Sequence, residues 1–357
     1  LGRYTTADVN AVGEFVEGPI SGSVTANFYR TDGYDLNEDA IGQTAPERDD
    51  VTATADLSYD IGAATTLDVD SRLNVQQTDY RTANRQQETL TGERDQEDWN
   101  VATTLRHEFR PGLRGQAMLY GSWFNFDRTE TLQQSGEVDD ELSTDQFYGK
   151  AETEWNVTLP HSNLVTAGGG IITESISGIN LLRSGTERRK SGFVFVQDEF
   201  APADWLQLTA SARFDANEDY DSELSPKGGV LIQPIEGLRV RASVGTGFKA
   251  PTFRELYYDF TNNSAGYTVI GAAHVESGVE RLRENGRIAR ELDRLADIED
   301  LEPENSLSFN GGIETDLLPQ LSTSVNLFHN DVENLINSEQ ILQKTGGGPF
   351  PFVFSYF

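Results

Sequence analysis

The stretch Leu206-Gln-Leu-Thr-Ala-Ser-Ala-Arg-Phe-Asp215 alternates apolar and polar side chains almost residue by residue. Successive side chains of a β-strand point to opposite faces, so Leu206, Leu208, Ala210 and Phe214 would share one face. The intervening polar side chains would share the other face. The stretch therefore predicts a strand that separates an apolar environment from a polar one.

The same alternation recurs along the chain, for example in residues 51–61 and 238–244. The polar face carries full charges at Asp68, Asp70 and Arg72, which a water-filled or protein-plugged lumen would tolerate. No stretch approaches the roughly 20 apolar residues of a membrane-spanning helix, but the strands of a β-barrel do not need one. We therefore predict an all-β, antiparallel transmembrane β-barrel whose apolar side chains point outward.

The connections between the predicted strands alternate between short turns and long polar segments. In outer-membrane barrels the short turns face the periplasm and the long loops face outside. The spacing gives about fourteen strands, plus the start of another at residues 351–357. The predicted short turns are 17–21, 61–64, 110–113, 159–162, 201–204, 234–237 and 318–320. The predicted extracellular loops are 31–49, 77–97, 127–145, 177–190, 216–225 and 249–302.

One segment of the longest loop departs from the strand pattern. Between Ala273 and Ile298, apolar residues such as Val275, Val279 and Leu282 recur near helical spacing among many charged ones. We predict a short helix here, on the same side as residues 77–97. The alternative is that this segment is a solvated part of the loop that makes no contact with a ligand.

The net charge of the chain is evidence against nucleic acid as a partner. The net charge of -30, from 58 acidic and 28 basic residues, argues against nucleic-acid binding because like charges repel. We interpret the excess as a halophilic type of acidic surface, since salt screens such repulsion. A cation-gathering surface is the alternative, although no EF-hand spacing supports it.

The sequence contains little that would indicate a catalytic site or a metal site. The four histidines, His107, His161, His274 and His329, are scattered, and neither H-E-x-x-H nor G-x-S-x-G occurs. We therefore expect no enzyme activity, no metal and no cofactor.

The stretch Gly245-Thr-Gly-Phe-Lys-Ala-Pro-Thr-Phe-Arg-Glu-Leu-Tyr257 resembles a strand end typical of TonB-dependent outer-membrane receptors. The stretches 195–200, 224–230, 301–306 and 325–336 also resemble that family in order and spacing. Proline removes a hydrogen-bond donor and glycine allows close backbone approach, so we interpret the motif as architectural. Its residues are Gly245, Gly247, Phe248, Lys249, Ala250, Pro251, Glu255 and Leu256.

The resemblance implies an active-transport receptor of a Gram-negative type of outer membrane. Such receptors bind a scarce, bulky nutrient, namely a siderophore-iron, haem, cobalamin or glycan, and import it with energy that TonB relays through a plug domain. Residues 1–357 would then be part of a barrel of about 22 strands, with the plug and the last strands outside this sequence. The expected partners are outer-membrane lipid, the nutrient and the TonB complex.

The best candidates for ligand contact follow the motif, near the expected outer mouth: Arg254, Tyr257, Tyr258, Asp259 and Tyr267. Aromatic faces and charged groups there could meet a ligand first. The alternative is that they only order the long loop. Haem receptors of the family place a histidine in this loop, but their partner motif is replaced by Ile298-Glu-Asp-Leu301, which favours a surface role for His274.

Two other functions stay open. A passive porin would share the strand alternation but would lack the stretch 245–257. An outer-membrane enzyme barrel would need a catalytic constellation at the rim of the lumen, and the sequence offers no such motif.

Overall fold

The computed structural model describes residues 5–37, 39–84, 86–179, 182, 185–262, 266–297, 300–318, 321–346 and 350–357. Its largest feature is an antiparallel sheet of fourteen strands, called the wall below. The wall strands are β1 Thr6–Glu17, β2 Ile20–Thr31, β3 Glu47–Asp60, β4 Thr65–Ala83, β5 Thr89–Arg110, β6 Leu113–Leu132, β7 Val138–Leu159, β8 Asn163–Ser177, β9 Thr186–Ala203, β10 Leu206–Asn217, β11 Glu223–Ile235, β12 Leu238–Lys249, β16 Glu304–Leu318 and β17 Leu321–Glu333.

Each wall strand pairs with the next wall strand along the chain, so the sheet is a continuous meander. The predicted antiparallel barrel wall and its count of about fourteen strands are confirmed. Within the described residues, no pairing joins β1 to β17.

The structure corrects the extent of two predicted loops. Strands β4 and β5 pair from Thr65 and His107 as far as Ala83 and Thr89, so only residues 84–88 connect them. Likewise, the predicted loop 127–145 is mostly paired strand, and its connection is 133–137. Neither predicted loop contains proline, and polarity alone does not interrupt strand pairing where both faces are wet. These segments are therefore hairpins that extend beyond the predicted strand ends.

One face of the wall is covered by large apolar side chains. Leu119, Ile171 and Val194 on this face are 64%, 68% and 59% exposed, and Leu208 and Phe214 are exposed at 39% and 44%. Such a surface exceeds what a protein leaves in water, so it is the face that lipid covers. The predicted outward direction of the alternating side chains is confirmed.

Two rows of aromatic rings mark this face at different heights. Trp99 stacks on Trp123 with ring centroids 4.9 Å apart, whereas Phe109 stacks on Trp155 at 5.2 Å nearer the short turns. Trp99 and Phe109 lie ten positions apart on β5, or about 34 Å along the strand at 3.4 Å per residue. A strand tilt of about 40° reduces this to about 26 Å, close to the height of an outer-membrane apolar band. The rows therefore mark the two membrane interfaces.

A second, five-stranded sheet lies in the connections at the long-loop end. Together with helix α2 Val275–Glu284 it is called the loop assembly below. Its strands, in sheet order, are β13 Asp259–Thr261, β14 Thr268–Ile270, β19 Phe352–Tyr356, β18 Ser338–Lys344 and β15 Ile288–Glu291. Its core combines Ile270 and Val275 with Ile341, Leu342 and Val353, which are at most 1% exposed. The helix that precedes the loop assembly, α1, spans Phe253–Tyr257.

The predicted helix within 273–298 is confirmed only in part. It spans Val275–Glu284, and Gly286, with a φ of +62°, follows it in the left-handed conformation that glycine adopts readily. Ile288–Glu291 is then a strand, because pairing with β18 overrides the local helical spacing. A 3-10 helix follows at Asp293–Asp297, and Ile298 lies outside the described residues. The segment is on the same side as the β4–β5 connection, as predicted.

The predicted strand at 351–357 exists as β19, but it belongs to the loop assembly. It pairs in parallel with β14 and antiparallel with β18, and thus does not extend the wall. In the described part of the chain, no helix is long and apolar enough to span a membrane.

Candidate functional site

The motif residues lead from the wall to its long-loop end, where α1 and the loop assembly meet the wall strands; this end is called the mouth below. Lys249, the last residue of β12, donates from Nζ to Glu304 Oε1 of the neighbouring strand at 2.8 Å. Thr252 then caps α1 through a reciprocal pair of bonds with Glu255, at 2.6 Å and 3.3 Å. Pro251 is fully buried between these elements. This geometry supports an architectural role for the motif.

Arg189 of β9 joins the wall to α1. Its Nη1 donates to the carbonyl of Pro251 at 2.8 Å, and its Nε donates to Glu174 Oε2 at 3.0 Å. The guanidinium also lies 4.7 Å from the ring centroid of Phe253. Arg189 is 7% exposed, so a buried cation fixes the position of α1 against β8 and β9.

Tyr257 occupies the polar side of this junction. Its ring is 6.0 Å from those of Phe253 and His274, and its hydroxyl lies close enough to Asp219 to feel the negative charge of that carboxylate. Burial, together with the negative charge of Asp219, raises the pKa of Tyr257 to about 12. Burial also raises the pKa of Asp219, against the opposing effect of Arg189. A neutral phenol therefore lies beside the mouth at physiological pH.

The other predicted contact residues are engaged within the loop assembly. Arg254 donates from Nε to the hydroxyl of Tyr356 at 3.0 Å, and Asp259 accepts from Arg281 at 2.8 Å. Tyr267 meets the ring of Phe354 edge-on at 6.2 Å.

Tyr258 packs in the apolar cluster of Ile176 and Leu182, where burial raises its pKa. The structure thus brings the five candidates to one end of the wall, and all five make contacts with neighbouring residues there. Contact with a ligand remains a prediction.

A surface position was expected for His274, and the structure places it only partly at the surface. It is half-buried next to α2, and its Nε2 is buried without a hydrogen-bond partner in the described part of the chain. No group of three or more potential metal ligands occurs among the described residues.

Sequence reasoning missed Arg189, Glu174 and Asp219, which hold the mouth together. Arg189 stands in the polar run 187–190, which was assigned to the end of a loop. The available signal was its spacing from Phe193, because residues four positions apart on a strand lie on the same face, here the inner face of β9.

Comparison with known families and structures agrees with this architecture. Residues 3–357 match the family described as "TonB dependent receptor-like, beta-barrel". An iron-regulated outer membrane virulence protein of Vibrio cholerae is 28% identical over 144 residues, which are 40% of this chain and 18% of that protein. The vitamin B12 transporter BtuB of Photobacterium profundum is 32% identical over 98 residues, which are 27% of this chain and 16% of that protein.

Two solved receptors share the fold. The siderophore receptor PirA of Pseudomonas aeruginosa superposes with a TM-score of 0.67 at 15% identity, over 98% of this chain and 56% of PirA. The hemophore receptor HasR of Serratia marcescens, solved with its hemophore HasA and heme, gives 0.68 at 14% identity, over 99% of this chain and 58% of HasR. This chain thus spans little more than half of either solved receptor, and less than a fifth of the curated relatives.

Proposed function

Because this chain belongs to the TonB-dependent receptor β-barrel family and lies in the outer membrane, we propose that the complete protein imports a scarce, bulky nutrient with TonB-relayed energy. The observation that carries the proposal is the family match over residues 3–357. The fold and family are those of transport receptors, which favours transport over an enzyme barrel.

The mouth described above supports capture of a large solute. The loop assembly, α1 and the inner face of the wall meet at the long-loop end, where they bring together aromatic rings, carboxylates and arginines. Large solutes of this kind include metal chelates and cobalamin. We propose an iron-carrying chelate first, since one relative is named for iron regulation and the solved neighbours include siderophore receptors. Cobalamin is the second candidate, because another relative is a vitamin B12 transporter.

The test is energy-dependent uptake. The complete protein would be produced in a host that lacks its own receptors, and uptake of radiolabelled iron chelates and cobalamin would be measured with and without TonB. We expect uptake of one class only, lost without TonB. Equal uptake in the TonB-deficient host would instead establish a passive porin and overturn the proposal.

Ligand contact at the mouth is tested separately, by equilibrium binding on cells. Replacing Arg254 and Tyr257 with alanine should weaken binding, whereas replacing Arg114, exposed at the opposite end of the wall, should not. Unchanged affinity with normal surface expression would show that Arg254 and Tyr257 only order the loops. Intact binding with lost uptake would place the defect in coupling to TonB.

A further inference from the structure

Two arginines face each other on the inner face of the extended hairpins. Arg94 of β5 and Arg128 of β6 are direct cross-strand partners. Both are in the opposite phase to Trp99 and Trp123, which lie on the lipid-facing side. Like charges directly opposite each other destabilise a sheet, and the chain has only 28 basic residues against 58 acidic ones. Pairing two of them side by side therefore calls for a counter-charge.

Among the described residues, that counter-charge is incomplete. Arg128 Nη2 donates to Asp140 at 2.5 Å, but the Nε atoms of both arginines are buried without a hydrogen-bond partner in the described part of the chain. Within the same residues, the guanidinium of Arg94 forms no hydrogen bond and no ion pair. It lies against the rings of Tyr80 and Phe126, 5.5 Å and 5.9 Å from their centroids.

Several other arginines on the inner face have carboxylate partners, whereas Arg241 bonds the amide oxygen of Asn326 at 2.7 Å. Nitrogen–oxygen distances are 3.0 Å for Arg189 with Glu174 and 2.7 Å for Arg213 with Asp215. Arg239 is also 2.7 Å from a glutamate carboxylate on β16. Arg94 differs from these arginines because, among the described residues, its guanidinium contacts two aromatic rings and no carboxylate forms an ion pair with it.

Tyr80 is held in place beside Arg94. Its hydroxyl donates to Glu130 Oε1 at 2.8 Å, which leaves that carboxylate engaged. Its ring lies directly over Gly92, where an added Cβ would be 2.2 Å from the ring. Glycine at this position therefore lets a flat aromatic face lie across the strand next to the guanidinium.

The position is outside the membrane. Arg94 lies five positions beyond Trp99 on β5, or about 17 Å along the strand. Since Trp99 and Trp123 mark the outer interface, Arg94 and Arg128 line the vestibule through which a solute reaches the lumen. They lie on a different set of strands from the α1 junction.

We propose that Arg94 and Arg128, with the faces of Tyr80 and Phe126, bind a carboxylate- or phosphate-type oxyanion on a flat, ring-bearing solute. Guanidinium groups bind such oxyanions through paired, charge-assisted hydrogen bonds, and the rings provide a stacking surface. The inference rests on the proposed function, because it assigns a charge and shape to the transported solute. The acidic surface elsewhere would repel an anion, so this pair supplies local selectivity.

The test uses the purified complete receptor in a neutral detergent and benzene-1,2,4,5-tetracarboxylate as the probe. Isothermal titration calorimetry would compare the wild type with a variant carrying Arg94→Gln and Arg128→Gln. We expect the probe to bind the wild type and to lose affinity by about tenfold or more in the variant, as for loss of charge-assisted hydrogen bonds. The uncharged tetramethyl ester should not bind measurably to either protein.

The matched control carries Arg213→Gln and Arg239→Gln, which changes the net charge equally but removes arginines that already have carboxylate partners. Its affinity should stay within about twofold of the wild type, because only local contacts differ. Circular dichroism and heat-dependent gel mobility would verify folding of each variant. Equal weakening in both double variants, or no weakening in the first, would overturn the proposal. Since the assay needs neither TonB nor uptake, that result would leave the transport function to its own test.

Discussion

Removing the buried cation at the mouth should release α1 from the wall. Arg189→Met keeps an unbranched apolar stem and removes three interactions, with the Pro251 carbonyl, Glu174 and the Phe253 ring. A hydrogen bond to a charged group contributes about 1.5–3 kcal/mol, and a cation–π contact about 0.5–2 kcal/mol. Two of the three interactions hold α1, so closure of the junction should weaken by about 3 kcal/mol. At 1.4 kcal/mol per factor of ten, that is roughly a hundredfold increase in the opening equilibrium.

Hydrogen exchange read by mass spectrometry in the complete receptor measures this opening directly. Amides of residues 253–258 should exchange roughly a hundredfold faster in the variant, while those of 206–215 in the wall should not change. Arg213→Met is the control, since it also removes a cation–π contact, 3.8 Å from the Phe193 centroid, without touching α1. If the 253–258 amides exchanged alike in wild type and both variants, the assignment of Arg189 as the anchor of α1 would be wrong.

Three further outcomes are expected. Gly271→Ala should destabilise the loop assembly, because the added Cβ would lie 2.4 Å from the backbone of Leu256, and proteolysis there should become faster. Gly311→Ala is the control, since no atom lies within 4 Å of its added Cβ, and it should leave proteolysis unchanged. Leu342→Ala should weaken the same assembly by about 2–5 kcal/mol in its local exchange, as for a fully buried leucine, and a smaller effect would show that the site collapses. Ultraviolet absorbance would be titrated for the wild type and for Tyr257→Phe. The difference between the two curves should show the ionisation of one phenol with a midpoint of about 12. Since this pKa is raised in the folded state, its contribution to stability is full below pH 10 and is lost as pH rises through 12; a midpoint near 10 would contradict the burial argument.

The wall was predictable because period-two alternation is a local signal. Leu208 and Phe214 needed only their own neighbours in sequence to be placed on the lipid-facing side. Short turns were similarly marked, as at Gly18-Pro19 and Gly112. Strand ends were less predictable, because the charged segment 89–97 continues the pairing of β5 beyond the membrane without any change in composition that marks the interface.

The mouth was less predictable because its structure depends on contacts between distant segments. Ile288–Glu291 reads as helix on its own and becomes strand through pairing with Ser338–Lys344. Arg189 could be placed on the inner face by its phase, but its bond to Pro251 spans 62 positions and required the fold. The Arg94–Arg128 pairing depends on the register of two long strands, which alternation alone does not fix.

The composition of the loop assembly also has a consequence for the order of folding. Wall hairpins pair neighbouring strands, so each can form soon after its two strands are available. The loop assembly instead pairs β14 with β19, and the Ser355 hydroxyl bonds the Ile270 carbonyl across 85 positions. Closing so long a loop costs entropy before any contact compensates, unless the intervening β16–β17 hairpin forms first and shortens the effective separation. The loop assembly is therefore completed late, after folding of the wall has brought the segment of β14 close to that of β19.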